Sequence, residues 1–221
     1  MSGLDPVVQR RLDNLADELV AEYAGTFEPR AIRDLMADSA ARLAGSAVFP
    51  DFLPPLAFRL TKERLGASGR TEQQRVDGAY DVVFVSLGGG GRGQIAAALT
   101  TLLSGNKVVA HSAGTALQGE IDPAVRTVIG ELGIDVTDAF ARPVTPEVLK
   151  AANMVVTMGH SVGAFEIPEG VRHEDWRVGD PIGAPVDEVR RVRDDIERRV
   201  RELLERVGVE AVPTGITAPP S

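Results

Sequence analysis

The hydrophobic positions of this chain change their spacing once, and that change divides it. Over residues 1–68 they recur every three or four positions: Val8, Leu12, Leu15, Leu19 and Tyr23, then Ile32, Leu35, Met36 and Leu43 behind Pro29, then Leu56, Phe58, Leu60 and Leu65. This spacing lines apolar side chains along one helical face and predicts three amphipathic helices in a small bundle. Pro29 suits the first turn of the second helix. The stretch from Gly66 to Gln74 reads as a linker, and 69–79 separates the bundle from the rest of the chain. From Ala79 onward, short apolar runs alternate with helical spacing. Val82 to Val85, Lys107 to His111 and Met154 to Met158 predict strands, with a short fourth at Trp176 to Val178. Helices are expected at Gln94 to Leu103, around Val125 to Leu132, at Pro146 to Ala151 and from Val189 to Val207. Strands and helices in alternation predict an α/β fold, a parallel sheet between helical layers, over 80–210. Residues 211–221 read as a polar, proline-bearing tail.

Composition narrows the function classes. A net charge of −8 argues against a general nucleic-acid or anionic-membrane partner. No apolar run approaches the length of a membrane span, and Met1 to Pro6 lacks a basic region followed by an apolar one, so the cytoplasm is the expected compartment. The sequence contains no cysteine, which excludes disulfides, thiolate ligands and thiol redox chemistry within it. Three scattered histidines do not have metal-ligand spacing, and no metal is expected.

The candidate chemistry lies at Ser86-Leu87-Gly88-Gly89-Gly90-Gly91-Arg92-Gly93, between the first strand of the sheet and an alanine-rich helix. Successive glycines let several backbone N–H groups turn inward, and the next helix points its positive end at the same place. Arg92 adds a planar fork suited to two oxygens of a tetrahedral anion. Three patterns compete here. Gly88-x-Gly90-x-x-Gly93 satisfies a dinucleotide fingerprint, but no acidic residue closes the next apolar run. The phosphate loop of nucleotide hydrolases fails because Gln94 stands where it needs lysine. The third pattern is a nucleophile, five residues and an arginine, with Ser86 in the nucleophile position.

That third pattern resembles the low-molecular-weight protein tyrosine phosphatases and their arsenate reductase relatives. Gly91-Arg92-Gly93-Gln94-Ile95-Ala96 is similar to the family's Gly-Arg-Ser-Gln-Met-Ala, and Ser112-Ala113-Gly114-Thr115 to its Ser-Ala-Gly-Ser/Thr. Glu131 to Asp135, Val155 to Gly159 and Glu174 through Asp180-Pro181 occur in family order, and residues 1–68 resemble the helical leader of two-part bacterial arsenate reductases. The resemblance implies a three-layer phosphatase-like domain, an oxyanion loop from Leu87 to Gly93, and Asp180 as a general acid. By itself Asp180-Pro181 would read as a turn.

Two departures bear on function. The family's loop opens with cysteine, whose pKa of about 8.5 falls to roughly 3.5–7.5 beside cations or a helix N-terminus. Here the position is Ser86, and a helix end supplies only about 0.3–2 kcal/mol, far too little to ionise a hydroxyl. The family's hydroxyl residue after the arginine is here Gly93. A second group, His160, comes after the third strand and would serve as a base if it reached Ser86; a lone loop histidine otherwise reads as a surface residue. His111 reads as packed, and His173 has no partner legible in sequence.

These residues fit two classes of function. One is a non-catalytic or reprogrammed binder of phosphate, arsenate, sulfate or a phosphorylated small molecule, with no cofactor and with the helical bundle available for a homodimer or protein partner. The other is an enzyme acting on a loop-bound oxyanion or other acidic group, its attacking atom coming from an external low-molecular-weight thiol or from Ser86 activated by His160.

Overall fold

The structure, a computed structural model, describes residues 4–44, 50–69, 78–117, 120–136, 139–159 and 165–213. The chain separates into two compact units: Met1–Arg70 together with Thr145–Val148, and Thr71–Val144 with Leu149–Ser221.

The first unit contains helices α1 (Pro6–Glu22), α2 (Pro29–Ala44) and α3 (Leu53–Ser68), the last preceded by a 3-10 turn at Pro50–Phe52. Asp5 caps α1 by accepting the Val7 N–H at 2.7 Å, and Pro6 occupies the turn where a missing N–H costs nothing. Val8, Leu12, Ala16 and Leu19 are buried, as are Ile32, Met36, Ala40 and Leu43 of α2 and Leu53, Ala57, Leu60 and Leu65 of α3. The helix α3 continues through Gly66 to Ser68, so the polar stretch expected to be linker from Gly66 begins inside a helix. The reason is tertiary: Leu65 and Arg64 are buried just before it and hold the final turn in place. Residues 70–77 of the expected linker lie outside the described residues.

Arg64 is a buried charge of this unit, 3% exposed. Its Nε and Nη2 donate to both carboxylate oxygens of Glu147 at 3.1 and 3.0 Å, its Nη1 donates to Ser39 Oγ at 2.9 Å, and Asp38 lies 2.7 Å away. Burial is the largest single influence on Glu147 and raises its pKa, but hydrogen bonds from Arg64 and from its own backbone, together with the charges of Arg64 and Arg42, jointly outweigh it and the carboxyl titrates below its usual value. Asp38 is also lowered, with burial opposed by hydrogen bonds from Arg42 and Arg64.

The second unit is a four-stranded, wholly parallel sheet in the order β2-β1-β3-β4. Its strands are β1 (Tyr80–Ser86), β2 (Val108–Gly114), β3 (Met154–Met158) and β4 (Arg172–Trp176). Helices α4 (Arg92–Leu103), α5 (Pro123–Gly130) and α7 (Val186–Arg206) belong to the same unit, and α6 (Pro146–Ala151) has its first residues, to Val148, in the first unit and the rest in the second. Central β1 and β3 are buried along almost their whole length, as continuous apolar runs in parallel sheets should be. The core joins Phe84, Ile95, Leu99, Met158 and Trp176 to Val189, Ile196, Val200 and Leu203 of α7, with the Phe84 and Trp176 rings 5.6 Å apart.

Two strand boundaries differ from the sequence pattern. β4 lies at Arg172–Trp176 rather than at Trp176 to Val178. It is an edge strand whose residues are mostly exposed and charged, so only its last residue carries an apolar signal. β2 runs on to Gly114, which places Ser112 within the strand and buried. Strand order reverses on either side of β1, and such a switch point opens a crevice at the carboxyl ends of the strands.

Because both carboxyls that pair with Arg64 have lowered pKa values, their contribution is complete above the ordinary carboxylate range and disappears as pH falls through the lowered values. Arg64→Met is expected to lower stability by about 3 kcal/mol near neutral pH in urea unfolding, since it leaves a partly buried Glu147 unpaired. The gap between variant and wild type should close as the pH is taken below the ordinary glutamate value of 4.5.

Candidate functional site

β1 delivers Ser86, 2% exposed, to the carboxyl edge of the sheet, and Arg92 opens α4 six residues later. The carbonyls between them are held from behind. Ser86 O accepts the Thr115 N–H at 3.2 Å, Leu87 O the Ala116 N–H at 2.8 Å and Gly90 O the Asp122 N–H at 3.3 Å. Gly89 O accepts from Gln94 Nε2 at 3.0 Å and from the Ser112 hydroxyl at 3.4 Å. In a trans peptide the C=O and the next N–H point in opposite directions, and the described residues contain no cis peptide. The N–H groups of Leu87, Gly88, Gly90 and Gly91 are therefore turned away from these donors. Free backbone N–H groups next to a helix N-terminus are the kind of array from which anion-binding concavities are generally built.

At Gly89 the backbone itself is one that a side chain would strain. Its φ is +69°, and a Cβ there would stand 3.1 Å from the Gly114 nitrogen. Gly93 shows a different kind of fit, since a Cβ on it would stand 2.6 Å from Ser112 Oγ. The Ser112 hydroxyl thus fills the space beside residue 93, a consequence of Ser112 lying inside β2 rather than beyond it.

Arg92 is 9% exposed, and three features hold its guanidinium. Nη1 donates to Val178 O at 3.3 Å, Nη2 donates to Asp180 Oδ2 at 3.4 Å, and the group lies against Gly159, where an added Cβ would be 2.7 Å from Nη1. Gly159 has φ +75°. Asp180 remains more than half exposed and also accepts the Ile182 N–H at 3.3 Å through Oδ1. Leu87 and Ile182 are exposed, and the Ile182 side chain overlies Gly91.

The structure therefore brings Ser86, the loop from Leu87 to Gly93, Arg92 and Asp180 to one end of the sheet. His160 lies outside the described residues. His111 stands elsewhere, 3.5 Å from Asp81. His173 acquires a partner that sequence did not suggest: Thr157 Oγ1 lies 3.0 Å from its Nε2 and donates to Asp175 Oδ1 at 2.8 Å. Among the described residues no group of three metal-ligating side chains converges.

Three residues of the site escaped sequence reasoning. Asp122 caps α5 through Ala124 and Val125, donates its own N–H to Gly90 O, and accepts the Gly183 N–H at 3.0 Å. Its Asp-Pro pair is a helix-start signal, but nothing local announced the other two bonds. Gln94 bridges Gly89 O and Phe140 O, and Gly159 shapes the arginine niche; neither role has a sequence signature.

A family model described as "Low molecular weight phosphotyrosine protein phosphatase" matches residues 81–212, and one described as "Protein-tyrosine-phosphatase-like, N-terminal domain" matches residues 12–69. The chain belongs to the low-molecular-weight phosphatase and arsenate reductase family. Arsenate reductase 1 of Staphylococcus epidermidis is 30% identical over 128 residues, 57% of this chain and 96% of the relative. A Halobacterium salinarum protein named for the same activity is 36% identical over 92 residues, and the chain spans 64% of its length. Among solved structures, the thioredoxin-dependent arsenate reductase of Corynebacterium glutamicum has TM-score 0.79 and 31% identity, covering 90% of this chain and 97% of that one. An arsenate reductase in the phosphate-binding state has TM-score 0.52 and 25% identity, covering 58% of this chain and 98% of the other.

Substitution at the arginine niche tests the packing of this family loop. Gly159→Ala is expected to cost at least about 1–2 kcal/mol from its left-handed backbone alone, measured by denaturant unfolding. A crystal structure of the variant should show the guanidinium displaced from Val178 O and Asp180.

Proposed function

We propose that the chain is an oxyanion-binding member of this family that works without a thiol nucleophile of its own, taking phosphate, arsenate, sulfate or a phosphorylated small molecule in the Leu87–Gly93 loop, in the cytoplasm. The observation that supports the reading is the engagement of the loop carbonyls by Thr115, Ala116, Asp122 and Gln94, which turns the intervening N–H groups away from those donors, with Arg92 opening the helix that follows. The overall acidity of the protein makes this positive potential local: residues 81–184 hold 7 basic and 12 acidic side chains. The phosphate-binding state of a same-fold arsenate reductase supports the choice of ligand. Ser86 occupies the nucleophile position with a hydroxyl that the N-terminus of α4 is too weak to ionise, which favours binding over turnover.

The exposed Asp180 beside Arg92 favours a second reading, in which the loop neutralises an oxyanion while an external low-molecular-weight thiol attacks it and Asp180 protonates the leaving oxygen. Arsenate reduction assayed with added thiol separates the two readings, because a binder gives no turnover and an enzyme loses its turnover in Asp180→Asn.

Calorimetric titration with inorganic phosphate and with arsenate tests binding directly. One anion per chain is expected for the wild type. Arg92→Ala should weaken it by about 10- to 100-fold, the loss of a charge-assisted hydrogen bond, and Arg92→Lys should recover only part because a point charge lacks the fork. Equal affinity in Arg92→Ala and wild type would remove this arginine from the site.

A further inference from the structure

We propose that the outer edge of β2 is a docking site for the C-terminal residues of a partner protein, which add there as a short parallel strand with their terminal carboxylate beside Arg142. This site is separate from the anion loop and does not depend on what the loop holds.

The sheet has two edges, β2 and β4. Strand edges in native proteins are commonly blunted by charge, because their free N–H and C=O groups pair with any extended chain that reaches them. β4 is protected in this way by Arg172, His173, Glu174 and Asp175, whereas β2 runs Val108-Val109-Ala110-His111-Ser112. In a parallel ladder one residue turns both of its main-chain groups to one side, and the next residue turns them to the other. Gly114 turns outward: its N–H donates to Arg142 O at 2.7 Å and its C=O accepts the Val144 N–H at 3.0 Å, with Pro143 opposite. Ser112 and Ala110, two and four residues back, share that orientation. Among the described residues no main-chain group pairs with either of them on this side. The segment that serves Gly114 does not reach them, since its next acceptor back, Phe140 O, takes Gln94 Nε2 at 3.3 Å.

A groove of about 570 Å³ runs along this edge, lined by Ala98 and Leu102 of α4 and by Ile134 and Val136, as well as by Ala110 and Ser112 themselves. The turn at Gly105 and Asn106, with φ of +57° and +63°, passes the chain directly from α4 into β2 and so keeps the helix beside the strand. An added strand presents alternate side chains to one face, so a peptide laid along the edge gives main-chain hydrogen bonds to Ala110 and Ser112 and every second side chain to the groove.

The end of the groove sets the direction of the peptide. A parallel peptide runs toward the position opposite Gly114, which the chain's own segment already occupies, and must therefore terminate there in a carboxylate. An antiparallel peptide would begin there with an ammonium. Among the described residues that line the groove, Arg142 alone is charged, and its guanidinium lies 4.9 Å from the centre of the Phe140 ring. A guanidinium in that place attracts the carboxylate, offers two donors to its oxygens, and repels the ammonium.

Full-length protein is titrated by fluorescence polarisation with N-terminally labelled hexapeptides that end in a free carboxylate and carry Val, Ile, Leu or Phe at the last and third-last positions in a Lys/Thr background. Saturable binding by at least one sequence is expected, about 10-fold or more weaker when that peptide ends in an amide. The difference between acid and amide should vanish in Arg142→Gln, and binding should be lost in Ala98→Trp, which fills the groove. With the peptide bound to wild type, amide exchange should slow at Ala110 and Ser112 and stay unchanged at His111, whose N–H faces β1. These wild-type measurements stand even if Ala98→Trp does not fold. No saturable binding, equal affinity of acid and amide, a difference that persists in Arg142→Gln, or protection that omits Ala110 and Ser112 would each overturn the proposal. Protection of those two amides that grows with protein concentration in the absence of peptide would also overturn it, by giving the edge to a second copy of this chain.

Discussion

Four peptide carbonyls in the turn after β1 are held from behind, three by the N–H groups of Thr115, Ala116 and Asp122 and one by the side-chain amide of Gln94, and the candidate site depends on that restraint. A glycine run is conformationally permissive, and left free it would lose much entropy on closing around a ligand. Anchoring the carbonyls fixes the peptide planes and turns the intervening N–H groups away from the anchoring donors. Preorganised dipoles of this kind need no rearrangement when charge appears, which gives them more effect than mobile donors. The same restraint explains why Gly114 matters to a loop many residues away. Its backbone lies so close to Gly89 that a Cβ on Gly114 would stand 2.8 Å from the Gly89 nitrogen.

Arg92 shows how a buried cation is held in readiness. Its guanidinium makes one bond to a backbone carbonyl and one to a half-exposed carboxylate, and it rests in a niche that exists because residue 159 lacks a side chain. Both contacts, at 3.3 and 3.4 Å, are long for hydrogen bonds. Asp180 partly compensates the charge of Arg92 and remains more than half exposed.

Much of the fold was legible from periodicity. The helices of the first unit, the buried run of β1, α4, β3 and the long α7 appear where apolar spacing placed them, because each buries one continuous face and the burial writes itself into the sequence. The exceptions share a cause. β4 is an edge strand of Arg172, His173, Glu174 and Asp175 that holds its place by pairing with β3, so its backbone is ordered by a neighbour and not by its own side chains. Gly66 sits in a helix because Arg64 and Leu65 are anchored beside it. Ser112 lies past the apolar run Lys107 to His111, yet the ladder to β1 continues through Ser86 opposite Gly114.

The sequence by itself determined the α/β class, the position of the glycine loop between a strand and a helix, the arginine at its end and the lack of any thiol. Each of these is a property of composition or of residues close together in the chain, and local spacing is what a linear pattern can carry. Only the tertiary structure decided which way the loop amides point, what cradles Arg92, how Asp122 joins the loop to the segment after β4, and that His173 meets Thr157. Those arrangements depend on contacts between distant parts of the chain, 86 and 88 residues apart for the two bonds of Arg92. They arise when a parallel sheet gathers the ends of its strands, and no local run of residues encodes which ends will meet.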